Sequence, residues 1–295
     1  MYALVATIHI RFFMKAWHQR FLFERDFPLN IFITDVTEFP PHWHEAIEII
    51  YVLNDSLSIS INNEIHTLHK SDILLINSED VHYFPPQSNP VERIILLFEL
   101  NFIENISDSF QNKRFSQVIF SETDGLDCNK SFVHGTLKNH IIDILHEYEN
   151  KEEGYRLILR SRLYDILVTL IRQTPTVSIS PYEKTIKHNR LERLKNVFDY
   201  VEQNYQNNIS LEEIASVANF SVYYFTRFFK DTIGMTFIQY LNNFRVTKAE
   251  ELLLHTDDTV TEVAFKSGFG SIKNFNRNFK ILKGCSPSQF RKAIS

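Results

Sequence analysis

Residues 221–234, SVYYFTRFFKDTIG, and residues 271–284, SIKNFNRNFKILKG, hold Ser, Phe, Arg, Phe, Lys and Gly in step at a fifty-residue offset. In each copy two phenylalanines four apart, Phe225 and Phe229 or Phe275 and Phe279, mark one stripe of a helix. A second stripe at i, i+3, i+4, i+7 carries Tyr223, Thr226, Arg227 and Lys230 in the first copy. In the second it carries Lys273, Asn276, Arg277 and Lys280, with Ile272 beside them. These side chains have the chemistry that duplex DNA demands. Arginine forks onto guanine edges, asparagine pairs with adenine, and lysine and threonine take phosphates. Tyr223 can pack on a thymine methyl or a sugar. A duplicated hairpin with a solvated face is the bland alternative, and it leaves the repetition of Arg and Lys without a cause.

Side chains that read DNA must be held at a fixed angle, and the flanking sequence supplies the means. Upstream of the two copies lie SLEEIASVANF and TVTEVAFKSGF. Ser210 with Glu213, and Thr259 with Glu262, fit the capping box that starts a helix. Ala215 and Ala264 are small enough for a second helix to cross closely. Asn219 and Gly268 are residue types that tolerate the positive φ of a tight turn. Each copy is therefore expected to be a helix, a turn and a crossing helix. The two copies are joined by one long helix, TFIQYLNNFRVTKAEELLLHT.

The chain of 295 residues is long enough for two domains, and 44% hydrophobic residues with 26 Phe exclude a disordered chain. The net charge of −5 hides an asymmetry. Residues 186–295 hold 15 Lys+Arg against 11 Asp+Glu, whereas residues 1–185 hold 16 against 25. After Glu262 there is no acid, against seven bases: Lys266, Lys273, Arg277, Lys280, Lys283, Arg291 and Lys292. That end alone suits a polyanion. Cys128 and Cys285 show no pairing pattern, which fits a reducing cytoplasm. The opening MYALVATIHIRFF lacks the marks of a signal peptide, Met14 is a possible alternative start, and no apolar run reaches the ~18 residues of a membrane helix. NIFITDV, AIEIIYVL, LSISIN, EIHTL, DILLI and ERIILLFEL read as short strands of a barrel or sandwich. Residues 132–149 and 155–172 read as helices, the second with an apolar stripe of Leu157, Leu159, Leu163, Ile166, Leu167, Leu170 and Ile171. QTPTVSISPYEK reads as a linker.

The helical half resembles the DNA-binding domain of the AraC/XylS family of bacterial transcription regulators. The resemblance covers residues 190–293 and is most diagnostic in VTEVAFKSGFGSIKNFNRNFKILKGCSPSQFR, with its late Ser286-Pro287 and Phe290-Arg291. Arg245, Ala249, Leu252 and Leu253 of the central helix fit as well. The resemblance implies that both second helices enter successive major-groove segments of double-stranded DNA. It departs at Phe237, which stands where the second copy has Pro287. The first recognition helix also carries less charge than the second, so a smaller share of affinity is expected from it.

HWHEAIEIIYV, with INSEDVH ending at His82, resembles the sensor domain of the same family, a cupin-like barrel. On that resemblance His42, His44, Glu48 and His82 stand where metal-binding cupins place ligands. One reading is a divalent metal with open positions. Another is a pocket for a small polar effector such as a sugar, with Trp43 and Tyr51 as flat apolar faces and Arg93 and Tyr83 as helpers. The third is a set of satisfied hydrogen bonds at the barrel mouth. The glycines that flank the cupin pattern are missing, with Val36 and Asp55 in their place. The pocket reading is adopted: His42, Trp43, His44, Glu48 and His82 bind the effector, with no metal assigned and no cofactor. The chain is thus expected to be α+β, with a ligand-sensing barrel at 1–130, a helical packing or dimerisation segment at 131–172, a linker at 173–188 and a double helix-turn-helix domain at 189–295. The function expected is that of a cytoplasmic, homodimeric, sequence-specific regulator that meets RNA polymerase, is not an enzyme and touches no membrane. A cupin metalloenzyme with a DNA-binding tail, or a regulator controlled by a protein partner, are the competing readings.

Overall fold

A computed structural model of the chain describes residues 27, 29–87, 89–100, 112–116, 118–122 and 128–294. The possible start at Met14 lies outside them. The chain divides into two compact units, Met1–Ile186 and Lys187–Ser295.

The N-terminal unit is built from eleven described strands and two helices. Strands β1 (Leu29–Thr34), β8 (Arg93–Phe98), β3 (Ile47–Val52), β6 (Ile73–Ile76) and β10 (Ile119–Phe120) form one antiparallel sheet in that order. A second sheet has the order β2 (Phe39–His42), β7 (His82–Phe84), β4 (Leu57–Ile61) and β5 (Glu64–Leu68). The expected barrel is thus two sheets sharing a core rather than one closed ladder. Alternation along each strand explains the layers. Ile50, Val52, Leu74, Ile76, Ile95 and Leu97 of the larger sheet pack with Leu57, Ile59, Ile61 and Phe84 of the smaller one. The intervening residues Ile47, Ile49, Tyr51, Ile73, Leu75, Ile94 and Leu96 pack instead against α1 (Cys128–Asn150) and α2 (Tyr155–Gln173). Strands β3, β6 and β8 are therefore buried on both faces, which is why they read as unbroken apolar runs.

In α2 the buried stripe is Leu159, Leu163, Ile166, Leu167 and Leu170. Leu157 and Ile171, counted in that stripe from sequence, are exposed instead. Residues 173–188, expected as a linker, are largely structured. Residues Thr176–Ser178 form β11, paired with β9 (Lys113–Phe115), and Pro181 opens the long helix α3 (Pro181–Asn204). Proline is tolerated at the start of a helix because the first amide has no partner to lose, so its presence did not mark a loop.

The C-terminal unit holds the rest of α3, then α4 (Leu211–Val217), α5 (Val222–Ile233), α6 (Phe237–His255), α7 (Val260–Lys266), α8 (Ile272–Lys283) and α9 (Pro287–Ile294). The repeat in sequence is a repeat in packing. Ring centroids of Phe225 and Phe229, and of Phe275 and Phe279, are 5.6 Å apart in both copies. Phe229 lies 5.5 Å from Tyr240, and Phe279 lies 5.5 Å from Phe290, fifty residues on. Phe237, the departure from the second copy's Pro287, is buried between Phe225 and Phe229 at 5.7 Å from each. It starts α6 as Pro287 starts α9 and adds a ring to the first core.

Candidate DNA-binding face and candidate ligand site

The caps that hold the recognition helices are formed as their sequence implies. Ser210 accepts a hydrogen bond from the Glu213 amide and Thr259 from the Glu262 amide, each with the reciprocal glutamate bond that completes a capping box. A box of this kind adds about 1 kcal/mol to a short helix. The turns then close with Asn219 at φ 55° and Gly268 at φ 88°. The Phe220 amide donates to the Ala215 carbonyl at 2.9 Å and the Phe269 amide to the Ala264 carbonyl at 3.0 Å. Ser221 and Ser271 cap α5 and α8, and Gly234 and Gly284 end them in the left-handed region. The second turn is one residue longer than the first; the additional residue is Gly270, which shifts the offset from 49 to 50.

All nine side chains expected at DNA are exposed: Tyr223, Thr226, Arg227 and Lys230 on α5, and Ile272, Lys273, Asn276, Arg277 and Lys280 on α8. The phenylalanines of each copy face the core. Arg227 donates to the Tyr223 hydroxyl at 3.1 Å, so the two form one pre-set unit on the first helix. The seven acid-free bases divide in two. Lys266 is held by Asp258 at 2.7 Å, Lys283 by Glu250 at 2.8 Å, and Arg291 donates to the Asp258 carbonyl. Lys273, Arg277, Lys280 and Lys292 make no ion pair among the described residues, so their charge is available to an external anion. Sequence reasoning missed several neighbours of this face. Phe228 is a third buried ring on α5. Arg193 and Arg190 of α3 lie over Phe220 and Phe228, at 4.3 and 5.7 Å from the ring centroids. Asn278 folds back onto Asn274 at 2.8 Å. Of these only the Phe228 spacing left a signal in the sequence.

In the N-terminal unit the folding brings His42, His44, Glu48 and His82 together. His42 ends β2, His82 starts β7 directly opposite it, and Glu48 lies in β3 on the face between the sheets, paired with Ile76 and Leu97. His44 sits in the bend between β2 and β3. His44 Nε2 lies 3.0 Å and His82 Nε2 3.3 Å from the same Glu48 Oε2. The His42 and His82 rings are 4.0 Å apart. All four residues are at most 4% exposed. Each imidazole has its Nδ1 against a backbone carbonyl two residues away: Pro40 at 2.9 Å, Ala46 at 2.9 Å and Asp80 at 2.8 Å. A carbonyl only accepts, so Nδ1 donates in each ring, and the charged form of His44 or His82 has a second N–H, on Nε2, to donate to the Glu48 carboxylate.

The electrostatics follow from this geometry. Burial would push the Glu48 carboxyl up, but its contacts with His44 and then His82 outweigh burial and hold it below the usual carboxylate range. Burial, reinforced by the charges of His82 and His44, lowers His42. For His82, burial is the largest influence and lowers it, yet contact with Glu48 and the Asp80 carbonyl together raise it. Arg93, 1% exposed, faces the same interior, donates to the Val91 and Val36 carbonyls at 2.9 Å and sits 4.3 Å over the Phe84 ring. Burial pushes its guanidinium down to about 10, opposed by Glu48 and Asp35. Trp43 is buried, but Tyr51 packs on the helix side of β3 and cannot line the cluster, because three residues along a strand reverse the face. Asp55 adopts φ 50°, so the position where the cupin pattern has glycine keeps a left-handed backbone without one.

An AraC-like ligand binding domain model matches residues 33–167, and a helix-turn-helix domain model matches residues 214–293. Over 258 residues the chain is 26% identical to the HTH-type transcriptional activator RhaS of Enterobacter sp. (strain 638), covering 86% of this chain and 88% of that protein. Over 268 residues it is 23% identical to the uncharacterized HTH-type transcriptional regulator SACOL0084 of Staphylococcus aureus (strain COL) and spans 34% of that protein. Of the solved structures, the DNA-binding domain of AdpA, in complex with a target DNA, is 31% identical and covers 34% of this chain and 91% of its own, with a TM-score of 0.33. A β-rich ligand-binding domain followed by two helix-turn-helix motifs defines a transcription regulator and not an enzyme. The chain belongs to the AraC family.

Proposed function

We propose that the chain is an effector-controlled, sequence-specific regulator. α5 and α8 read two adjacent major-groove segments, and a small polar molecule, such as a sugar or sugar derivative, is held near His42, Trp43, His44, Glu48 and His82. The observation that carries this reading is the doubled recognition helix: one exposed stripe with Arg and Lys at the same positions, capped at both ends and unpaired in its second copy. Arg277 and Asn276 would specify bases, while Lys273, Lys280 and Lys230 would take phosphates. The face-to-face arrangement of donors and acceptors at His44, Glu48 and His82 supports a polar occupant over an apolar one.

Homodimerisation through residues 131–172 is supported by Leu157, Tyr164, Val168 and Ile171, which share one exposed face of α2. A dimer doubles the DNA contacts and gives the effector something to change, with a typical coupling of ~1–3 kcal/mol. Contact with RNA polymerase and a cytoplasmic location belong to the same reading. No described helix is long and apolar enough to cross a membrane. The test is calorimetry and thermal shift of the full chain with a sugar panel, followed by DNA titration with and without any hit. A hit that moves DNA affinity, and that Glu48→Ala and His44→Ala abolish, supports the site. A hit that binds both variants as well as the parent puts the effector elsewhere.

A further inference from the structure

The two helix-turn-helix motifs touch each other away from α6, the helix that joins them. Tyr205, Gln206 and Asn207 follow α3 and lead into α4, so they belong to the entry of the first motif. Lys266 ends α7 and Gly268 lies in the turn before α8, so both belong to the second. The Gln206 side-chain amide donates to the Lys266 carbonyl at 3.0 Å. The Tyr205 carbonyl oxygen occupies the space that a side chain would take at Gly268. Arg245 closes this contact from α6: its Nε donates to the Tyr205 carbonyl and its Nη2 to the Asn207 carbonyl, each at 2.8 Å. Those carbonyls stand just beyond the C-terminus of α3, where backbone acceptors lack helical partners and a cation is favoured. A guanidinium serves two of them at once because its donors form a rigid fork. Asp258 holds the Lys266 ammonium at 2.7 Å. The end of α7 is thus gripped on its carbonyl by the first motif and on its side chain by the loop that precedes α7.

The place of Arg245 in α6 gives the contact its leverage. On its N-terminal side Phe237 and Tyr240 pack on Phe229 in the first motif. On its C-terminal side Val246, Ala249 and Leu253 pack with Phe269, Phe275 and Phe279 in the second. Joined through α6 alone, the motifs would be free to rock about that helix, and a second contact off its axis removes the freedom. We infer that the contact among Arg245, Tyr205, Gln206 and Gly268 fixes the angle between the motifs, and thereby the spacing of DNA segments that the chain accepts. The inference rests on the reading that α5 and α8 bind DNA together. Arg245 and Gln206 are then positioning residues, which act through the recognition helices rather than on the bases. An error of one base pair moves a segment ~3.4 Å along the duplex and turns it ~35° about the axis. Hydrogen bonds to base edges do not survive a displacement of that size.

The experiment uses the full chain and a duplex site selected from a random pool. The two protected segments are kept, and the interval between them is shortened or lengthened by one base pair. The parent should bind both shifted duplexes about 10–100-fold more weakly than the selected one, as when base contacts in one segment are lost. Arg245→Ala should reduce that ratio about 5-fold or more, the low end of a coupling between two sites. Gln206→Ala should reduce it as well. This second variant leaves both Arg245 bonds to the end of α3 in place, and its exposed side chain keeps the test decisive if Arg245→Ala fails to fold. A role in capping α3 alone predicts a different pattern: Arg245→Ala weakens every spacing alike, and Gln206→Ala changes nothing. That pattern overturns the inference, as does a parent with two protected segments whose affinity ignores their spacing. A parent that protects a single segment overturns the two-segment reading, and the inference falls with it.

Discussion

Replacing Gly268 by alanine should damage the second helix-turn-helix far more than replacing Gly284, although both glycines have positive φ. At Gly268 φ is 88°, and a Cβ there would meet the Tyr205 carbonyl oxygen at 2.2 Å, Arg245 Nε at 2.9 Å and Gln206 Cα at 2.9 Å. Two of these are backbone atoms, which no rotamer change can move. The third belongs to Arg245, whose Nε donates to the same Tyr205 carbonyl at 2.8 Å, so the clash also strains that bond. The left-handed backbone costs an alanine ~1–2 kcal/mol, and overpacking adds ~1–3 kcal/mol, about 2–5 kcal/mol in all. At Gly284 φ is 71° with nothing within 4 Å of a Cβ, so only the ~1–2 kcal/mol backbone cost applies. Gly268→Asn, with the residue of the first copy, relieves the backbone cost but keeps the clash. Hydrogen exchange of the full chain, read on peptides covering residues 260–283, measures the loss locally. Gly268→Ala and Gly268→Asn should both lose more protection than Gly284→Ala. Equal losses for the two alanine variants would show that the turn does not press on the Tyr205 carbonyl.

Arg277→Ala should cost ~1–3 kcal/mol of specific DNA affinity and relax preference at one base, more than Thr226→Ala costs, in gel-shift titrations on selected and random DNA. Lys280→Ala should weaken all sequences alike and reduce the salt slope by about 0.9, as loss of one phosphate contact does. Phe237→Ala should destabilise the first helix-turn-helix by ~3–5 kcal/mol, since a ring packed on Phe225 and Phe229 leaves a cavity; thermal unfolding and protection of α5 amides would record it. Tyr51→Phe should leave effector response unchanged in DNA titrations, because that ring faces the helices and not the cluster.

The helical half was legible because its information is local. Capping boxes at Ser210 and Thr259, a turn residue at Asn219 or Gly268, and a stripe of Phe, Arg and Lys are all read within one helical repeat, and duplication removed the remaining ambiguity. The strands were legible where short runs rich in Ile, Val, Leu and aromatics stand between turn residues, which covers β1, β3, β4, β5, β6 and β8, whether buried on both faces or on one. The strands that carry His42 and His82 went unread: β2 is FPPH and β7 is HYF, too short and too rich in proline to show a period. Membership of the cluster therefore came from family resemblance. The Nδ1 bonds to Pro40, Ala46 and Asp80, which decide what the cluster can hold, depend on backbone carbonyl directions that no residue type encodes. Tyr51 failed as a ligand residue for a simpler reason: its strand parity relative to Glu48 was not counted.

The central claim is that α5 and α8 read DNA together. Selection of binding sites from a random duplex pool with the full chain, followed by base-resolution footprinting, tests it most directly. Two protected major-groove segments about one helical turn apart, ~34 Å, on one face of the duplex are expected, with Arg277→Ala losing protection in one segment and Arg227→Ala in the other. A single protected segment, or two that both respond to Arg277→Ala alone, would contradict it.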